Sequence, residues 1–261
     1  MTSRRPPAGL LIPAAGALAL ILIPLAGLLQ HVRWGSLLAQ LTSSDVRTAL
    51  RLSIECSFLA VAVSLILGVP LAWMLARSSF PGKAIVRAIV TLPMVLPPVV
   101  GGVALLLAFG AHGFAGEALS HIGITLPFTT AGTVVAETFV AMPFLVIAVE
   151  AGLRQADALF EEVAATLGAR PWMRFWRVTL PIIAPSLVAG SALTWARALG
   201  EFGATITFAG NLPGTTQTMP LAVYVALESD TDGAIALSLL MLVVSLAVLI
   251  GLRHRWLGAT A

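Results

Sequence analysis

Arg197 and Glu201 stand four residues apart at the end of a long uncharged stretch. That spacing puts a cation and an anion on one helix face. Two chemistries follow. The pair can neutralise itself near the outer end of a span. Alternatively, Arg197 can offer positive potential to an anion, with Glu201 offsetting it so that the anion can leave. Thr194 and Phe202 flank the pair, and the four residues form a candidate path and gate. Glu137 and Glu150 are also embedded in apolar sequence. An intramembrane charge costs roughly 2.5–3.5 kcal/mol on insertion scales, so both are expected to snorkel or to pair with arginines of neighbouring helices. Arg51 with Glu55 and Arg47 with Asp45 read as interfacial pairs.

Catalytic chemistry is harder to assemble. The only lysine, Lys83, follows Gly82, but Ala84 and Arg77 occupy the places where a phosphate-binding loop needs a hydroxyl and its first glycine. This chain therefore lacks that ATP-hydrolysing device. Ser191 lies between Gly190 and Ala192, while His31, His112, His121 and His254 all sit near span ends, so a Ser–His pair at membrane depth is not expected. Those histidines are not spaced as metal ligands, and the single cysteine, Cys56, excludes an internal disulfide or a cysteine cluster. No catalytic residue, metal or resident cofactor is assigned.

The elements that must position these residues are membrane helices. Of 261 residues, 58% are hydrophobic and only 10% charged, against about 25% charged in soluble domains; the mean hydropathy is +0.97. So few charges cannot cover a soluble globule. A net charge of +3 without a basic run excludes nucleic acid as a partner, and the hydrophobicity excludes disorder. Six stretches approach the roughly 20 apolar residues of a span: Pro6 to Gln30, Cys56 to Ala76, Ala88 to Gly116, about Thr129 to Leu153, Val178 to Ala196 and Gly233 to Leu252. Phe202 to Leu227 is also uncharged, but its threonines, glycines, Asn211, Pro213 and Pro220 read as a loop tucked against the bundle. The first stretch is too long for a signal core and lacks a clear cleavage site. Prolines 70, 93, 97, 98, 143 and 185 interrupt spans; they can shape helices, or around Pro93 to Gly102 expose backbone to a cavity.

Eleven of the 15 basic residues fall on one side: Arg4, Arg5, Arg77, Lys83, Arg87, Arg154, Arg170, Arg174, Arg177, Arg253 and Arg255. The positive-inside tendency makes that side, and both termini, cytoplasmic. The expected fold class is an all-α integral membrane protein with six transmembrane helices. Residues 1–45 carry the tail, first span and outer loop, 46–252 the main transmembrane domain, and 253–261 a second cytoplasmic tail.

The loop at about 154–177 is the most informative segment. Leu159, Phe160, Val163 and Leu167 recur at helical spacing, and Asp157, Glu161 and Glu162 fall in the early turns, where acids suit the positive helix end. Gly168 and Pro171 end the helix. Trp172, Phe175 and Trp176, interleaved with Arg174 and Arg177, predict a second short amphipathic helix at the interface. The segment reads either as a connector lying on lipid or as a helix that docks to another protein.

It resembles the loop of ABC importer permeases, whose pattern is Glu-Ala-Ala, three residues, Gly, nine residues, Ile, one residue, Leu-Pro. Glu162, Ala164, Gly168, Val178, Leu180 and Pro181 hold those spacings, with Val163 for the first Ala and Val178 for Ile. The runs Leu92-Pro93-Met94-Val95-Leu96-Pro97-Pro98, Arg197-Ala198-Leu199-Gly200-Glu201-Phe202-Gly203 and Thr216-Gln217-Thr218-Met219-Pro220-Leu221 are similar to the oxyanion branch of that family, most to its molybdate members, with sulfate and tungstate permeases as close relatives. The resemblance covers about residues 46 to 252. It implies a non-enzymatic permease subunit coupled through Glu161, Glu162, Ala164, Ala165, Gly168, Ala169 and Pro171 to an ATP-binding subunit. It further implies two such subunits carrying ATP and Mg, a second copy of this chain, and an extracytoplasmic anion-binding protein, all at a prokaryotic plasma membrane with its lipid. An ion-coupled secondary transporter would instead require internal repeats and acidic residues at mid-membrane in both halves, and no convincing repeat is present.

Overall fold

The computed structural model describes residues 8–257. Arg4, Arg5 and the side chains of Arg253 and Arg255, which entered the orientation argument, lie outside the described residues, as do the side chain of His254 and residues 258–261.

The described chain is all helical: α1 (Ala8–Gln30), α2 (Trp34–Leu41), α3 (Ser44–Arg77), α4 (Lys83–Val95), α5 (Pro98–Phe109), α6 (Phe114–Ser120), α7 (Thr130–Gln155), α8 (Leu159–Thr166), α9 (Pro171–Arg174), α10 (Leu180–Leu199), α11 (Gly203–Phe208), α12 (Met219–Ser229) and α13 (Thr231–Leu257). Five continuous helical stretches are long and apolar enough to cross a membrane: α1, α3, α7, Pro171–Leu199 and α13; α4 and α5 make a sixth only if counted together across a bend of 117°.

That bend breaks the stretch expected as one span from Ala88 to Gly116, inside the Pro93 to Gly102 region where the prolines interrupt it. Leu96 and Pro97 are extended (ψ 136° and 131°) between the two helices. Each precedes a proline, whose ring disfavours helical geometry in the residue before it. Proline chemistry therefore fixes the break. The fifth span also differs. The short interfacial helix expected before it is continuous with it, joined through a π-helical turn at Phe175–Thr179. Pro181 has no N–H for the Arg177 carbonyl, and the widened turn ends just before it.

The core forms where α3, α7 and α10 pack. Val69, Ala72 and Leu75 meet Leu145, Val146, Val149, Leu153 and Ile183. Small residues bring these helices close: a methyl group on Gly190 would sit 2.9 Å from Ala148 Cβ, and Ala60, Ala141 and Ala198 touch where the three helices meet. By contrast, α1 buries none of its span within the chain. The bundle thus has a packed centre, a short hairpin at the α8 end, and the Arg197–Glu201 corner with a wound loop at the α11 end.

Candidate functional site

At the α8 end the sequence builds a helix with both ends closed. Asp157 Oδ1 accepts from the Leu159 N–H (2.9 Å). At the other end Ala169 N–H donates to Ala164 O and Gly168 N–H to Ala165 O, both at 3.0 Å. This doubly bonded C-terminal cap requires a left-handed residue, and Gly168 supplies it with φ +82°. A Cβ there would meet open space, so the backbone, and not crowding within the chain, demands glycine.

Leu159, Phe160, Val163 and Leu167 are all exposed, Leu167 at 82%. Glu162, Ala165, Gly168 and Pro171 share that exposure, whereas Ala164 and Ala169 are half-buried. Glu161 is turned inward. Its Oε1 lies 3.2 Å from Arg77 Nη2, and the same nitrogen donates to the Ala156 carbonyl at 3.3 Å. The expected docking residues therefore divide, with Glu161 occupied by the chain's own fold.

At the other end Arg197 Nη1 lies 2.6 Å from Glu201 Oε2. Glu201 is buried, while Arg197 is partly exposed. The second Glu201 oxygen accepts from Ala204 N–H at 2.8 Å, so one carboxylate both balances Arg197 and caps α11. Phe202 packs against Tyr224 with ring centroids 5.2 Å apart. Thr194 is fully buried, and its hydroxyl has no partner. The four path candidates thus split into two buried residues and two that reach the surface.

The remaining charges refine the expectations. Glu150 pairs with Arg87 (2.6 Å) and Arg154 (2.8 Å), and Arg51 with Glu55 (2.6 Å). Asp45 does not pair with Arg47; it accepts from Ser44 Oγ. Glu137 neither snorkels nor finds an arginine: it is 1% exposed, and its Oε2 is unpartnered. Its site between packed helices leaves no route to the surface. Three contacts gave no sequence signal because their partners are distant in the chain: Arg77–Glu161, Arg33–Asp232 at 2.7 Å, and Met219 N–H donating to Ser53 Oγ at 2.7 Å. Among the described residues, no three His, Cys, Asp or Glu side chains gather as a metal site.

This arrangement pairs Glu150 and Glu201 with arginines within the bundle and leaves α8 uncovered. It offers an exposed handle at one end and a charged, buried corner at the other. The family model of the binding-protein-dependent transport system inner membrane component matches residues 68–257. The chain belongs to this family. It is accordingly the multi-pass membrane component of a transport system, a permease and not an enzyme. Among its relatives, the molybdenum transport system permease protein of Mycobacterium tuberculosis is 46% identical over 244 residues, covering 94% of this chain and 92% of the relative. The Escherichia coli protein of that description is 42% identical over 211 residues, covering 80% and 92%. The Escherichia coli sulfate transport system permease protein is 37% identical over 234 residues, covering 88% and 84%. The permease fold is similar to a bacterial ABC transporter involved in the import of the acidic polysaccharide alginate, with a TM-score of 0.79 at 19% identity over 97% of this chain and 95% of that one.

Proposed function

We propose that this chain is the membrane-spanning permease subunit of an ATP-driven importer of an oxyanion, molybdate. The observation that carries the reading is the capped hairpin of α8: a short rigid helix with exposed apolar side chains and an open left-handed glycine. An exposed apolar surface of that kind suits a protein partner. Identity to molybdenum permeases over most of the chain supports the substrate; identity to a sulfate permease supports sulfate as the second reading.

In this reading two ATP-binding subunits grip α8 from the cytoplasm, with Glu162, Ala164, Ala165, Gly168, Ala169 and Pro171 at the contact. Both termini are cytoplasmic, in keeping with the basic residues at the α8 end. Two copies of the chain enclose the path, and an extracytoplasmic binding protein delivers the anion to the opposite end. Partly exposed Arg197 attracts a dianion, and Glu201 keeps the attraction weak enough for release. A bare buried cation would hold a dianion too firmly, because Coulomb energies rise steeply as the local dielectric falls.

The test is anion-dependent ATPase activity of the reconstituted complex with molybdate, tungstate and sulfate compared. Stimulation by molybdate at lower concentration than sulfate supports the reading, and the reverse order moves the substrate to sulfate. Transport by the isolated chain without an ATP-binding subunit would refute it.

A further inference from the structure

Helix α3 makes a polar side-chain bond near each of its two ends, Arg77 toward α8 and Ser53 toward α12, where Val46, Ala49 and Leu50 also pack. It runs 34 residues as one helix, with Pro70 inside it; the missing proline N–H removes one helical bond, but the packing of its neighbours Gly68, Val69 and Ala72 holds the helix together across that point. At its last residue, Arg77 Nη2 bonds both Glu161 Oε1 in α8 and the Ala156 carbonyl just before α8. The pair is largely buried, with side-chain exposures of 17% and 20%, and Arg77 Nε is enclosed without a partner. Twenty-four residues earlier, Ser53 Oγ accepts the first N–H of α12, that of Met219. Both groups are buried. At the helical rise, about 36 Å separates these contacts. From Met219, α12 leads to Tyr224, which packs on Phe202 beside Glu201.

Between the contacts α3 is held stiffly. Gly68 lies against Val146 and Leu145, and Ala72 and Leu75 are wholly buried in the α7 and α10 core. A rod packed this way moves as a body, since a close-packed interior transmits displacement without absorbing it.

We infer that α3 is a second transmission rod: Arg77 fastens it to the handle, Ser53 fastens it to α12, and a displacement of α8 reaches the Arg197–Glu201 corner through α3 as well as along the continuous α9–α10 helix. Arg77 and Ser53 are positioning residues that touch no substrate. The inference rests on the permease reading and assigns Glu161 to this internal joint, not to the ATP-binding subunit.

A double-mutant cycle in the reconstituted complex tests it, because residues in one mechanical line lose function non-additively. The readout is anion transported per ATP hydrolysed. Arg77→Gln is expected to assemble with the ATP-binding subunits and to hydrolyse ATP at the unstimulated rate, while transport per ATP falls about fivefold or more, the lower bound of typical coupling between sites. Arg77→Glu combined with Glu161→Arg rebuilds the ion pair reversed but leaves the Ala156 carbonyl without its donor, so it restores part of the loss. Ser53→Ala gives a smaller loss, and Arg77→Gln with Ser53→Ala is no worse than Arg77→Gln alone. If Arg77→Gln does not assemble, Glu161→Gln replaces it in the cycle with the same non-additivity expected. Wild-type transport per ATP in the Arg77 or Glu161 variant, or losses that multiply, would each overturn the rod. A wild-type complex without anion-stimulated ATPase would sink the permease reading itself, before variants are compared.

Discussion

The two ends of this permease handle exposed chemistry in opposite ways. The loop from Ala209 to Thr218 is rich in polar and turn residues, yet it closes on itself. Leu212 O receives the N–H groups of Thr215, Thr216 and Gln217, Leu212 N–H donates to Thr216 Oγ1, and Thr130 Oγ1 ties in the Thr215 carbonyl. Thr216 is fully buried. The α8 hairpin has apolar side chains, yet leaves them open to its surroundings. Polarity therefore does not separate inside from outside here. In the loop, the polar groups from Leu212 to Gln217 pair with one another, while Asn211 Oδ1 and Thr218 Oγ1 are enclosed without a partner. In the hairpin, apolar groups stay uncovered because their cover is proposed to be another chain. Substitutions in the closed end should reduce stability, and substitutions in the open end should reduce assembly.

The largest effect is expected at Gly168. Arginine there has to adopt φ +82°, at a cost of about 1–2 kcal/mol, too little to unfold the bundle. A long cation would nevertheless project from the proposed contact surface. Gly168→Arg should insert normally into membranes but lose coupled ATPase activity in the complex. Normal binding-protein-stimulated ATPase in that variant would remove the distinction between the two ends.

Next comes the charged corner. Glu201→Ala strips the partner from Arg197 and the cap from α11 together. Removing one member of a buried pair typically costs 3–5 kcal/mol; the partial exposure of Arg197 places this case near about 3 kcal/mol. Arg197→Ala with Glu201→Ala removes both charges and should regain part of that stability while transport stays impaired. Thermal unfolding beside transport per folded protein separates these outcomes. A double variant that transports normally per folded molecule, yet unfolds early, would make the pair purely structural.

How much of this was legible in the sequence differs between the same two regions. The hairpin was local: Asp157, the apolar spacing, Gly168 and Pro171 each act within a turn or two, so helix and cap follow from neighbours along the chain. The Arg197–Glu201 pair was equally local. The break between α4 and α5 was written in Pro97 and Pro98, but their sharp bend was not, because hydropathy measures length and composition without direction. Arg77–Glu161 and Ser53–Met219 were invisible, since groups 84 and 166 residues apart have no local pattern to reveal them. Glu137 misled for a related reason. An acid in a span suggests a nearby arginine, and only the packed structure shows that none reaches it.

A smaller effect is expected within the closed loop. Thr216→Val keeps the shape but leaves the Leu212 N–H without its partner. The bond is part-buried, so its loss should cost no more than the low end of the range for an unsatisfied buried donor, about 1–3 kcal/mol. The thermal midpoint should fall, while complex assembly per folded molecule stays at the wild-type level. Loss of assembly at unchanged stability would mean that this loop too is a docking surface.

The smallest stability effect sharpens the comparison most. Phe160→Ser and Leu167→Ser remove large apolar groups that are 58% and 82% exposed. Within the isolated chain they have little packing to lose, so stability should change by about 0.5 kcal/mol or less, as for other surface substitutions. Serine in the same positions of a protein interface would lose the apolar burial, worth about 25 cal/mol per Å². Affinity for the ATP-binding subunit should therefore fall while unfolding of the free permease stays unchanged. If instead the isolated chain unfolds more readily, α8 rests on its own bundle, and the exposed face is not waiting for a partner.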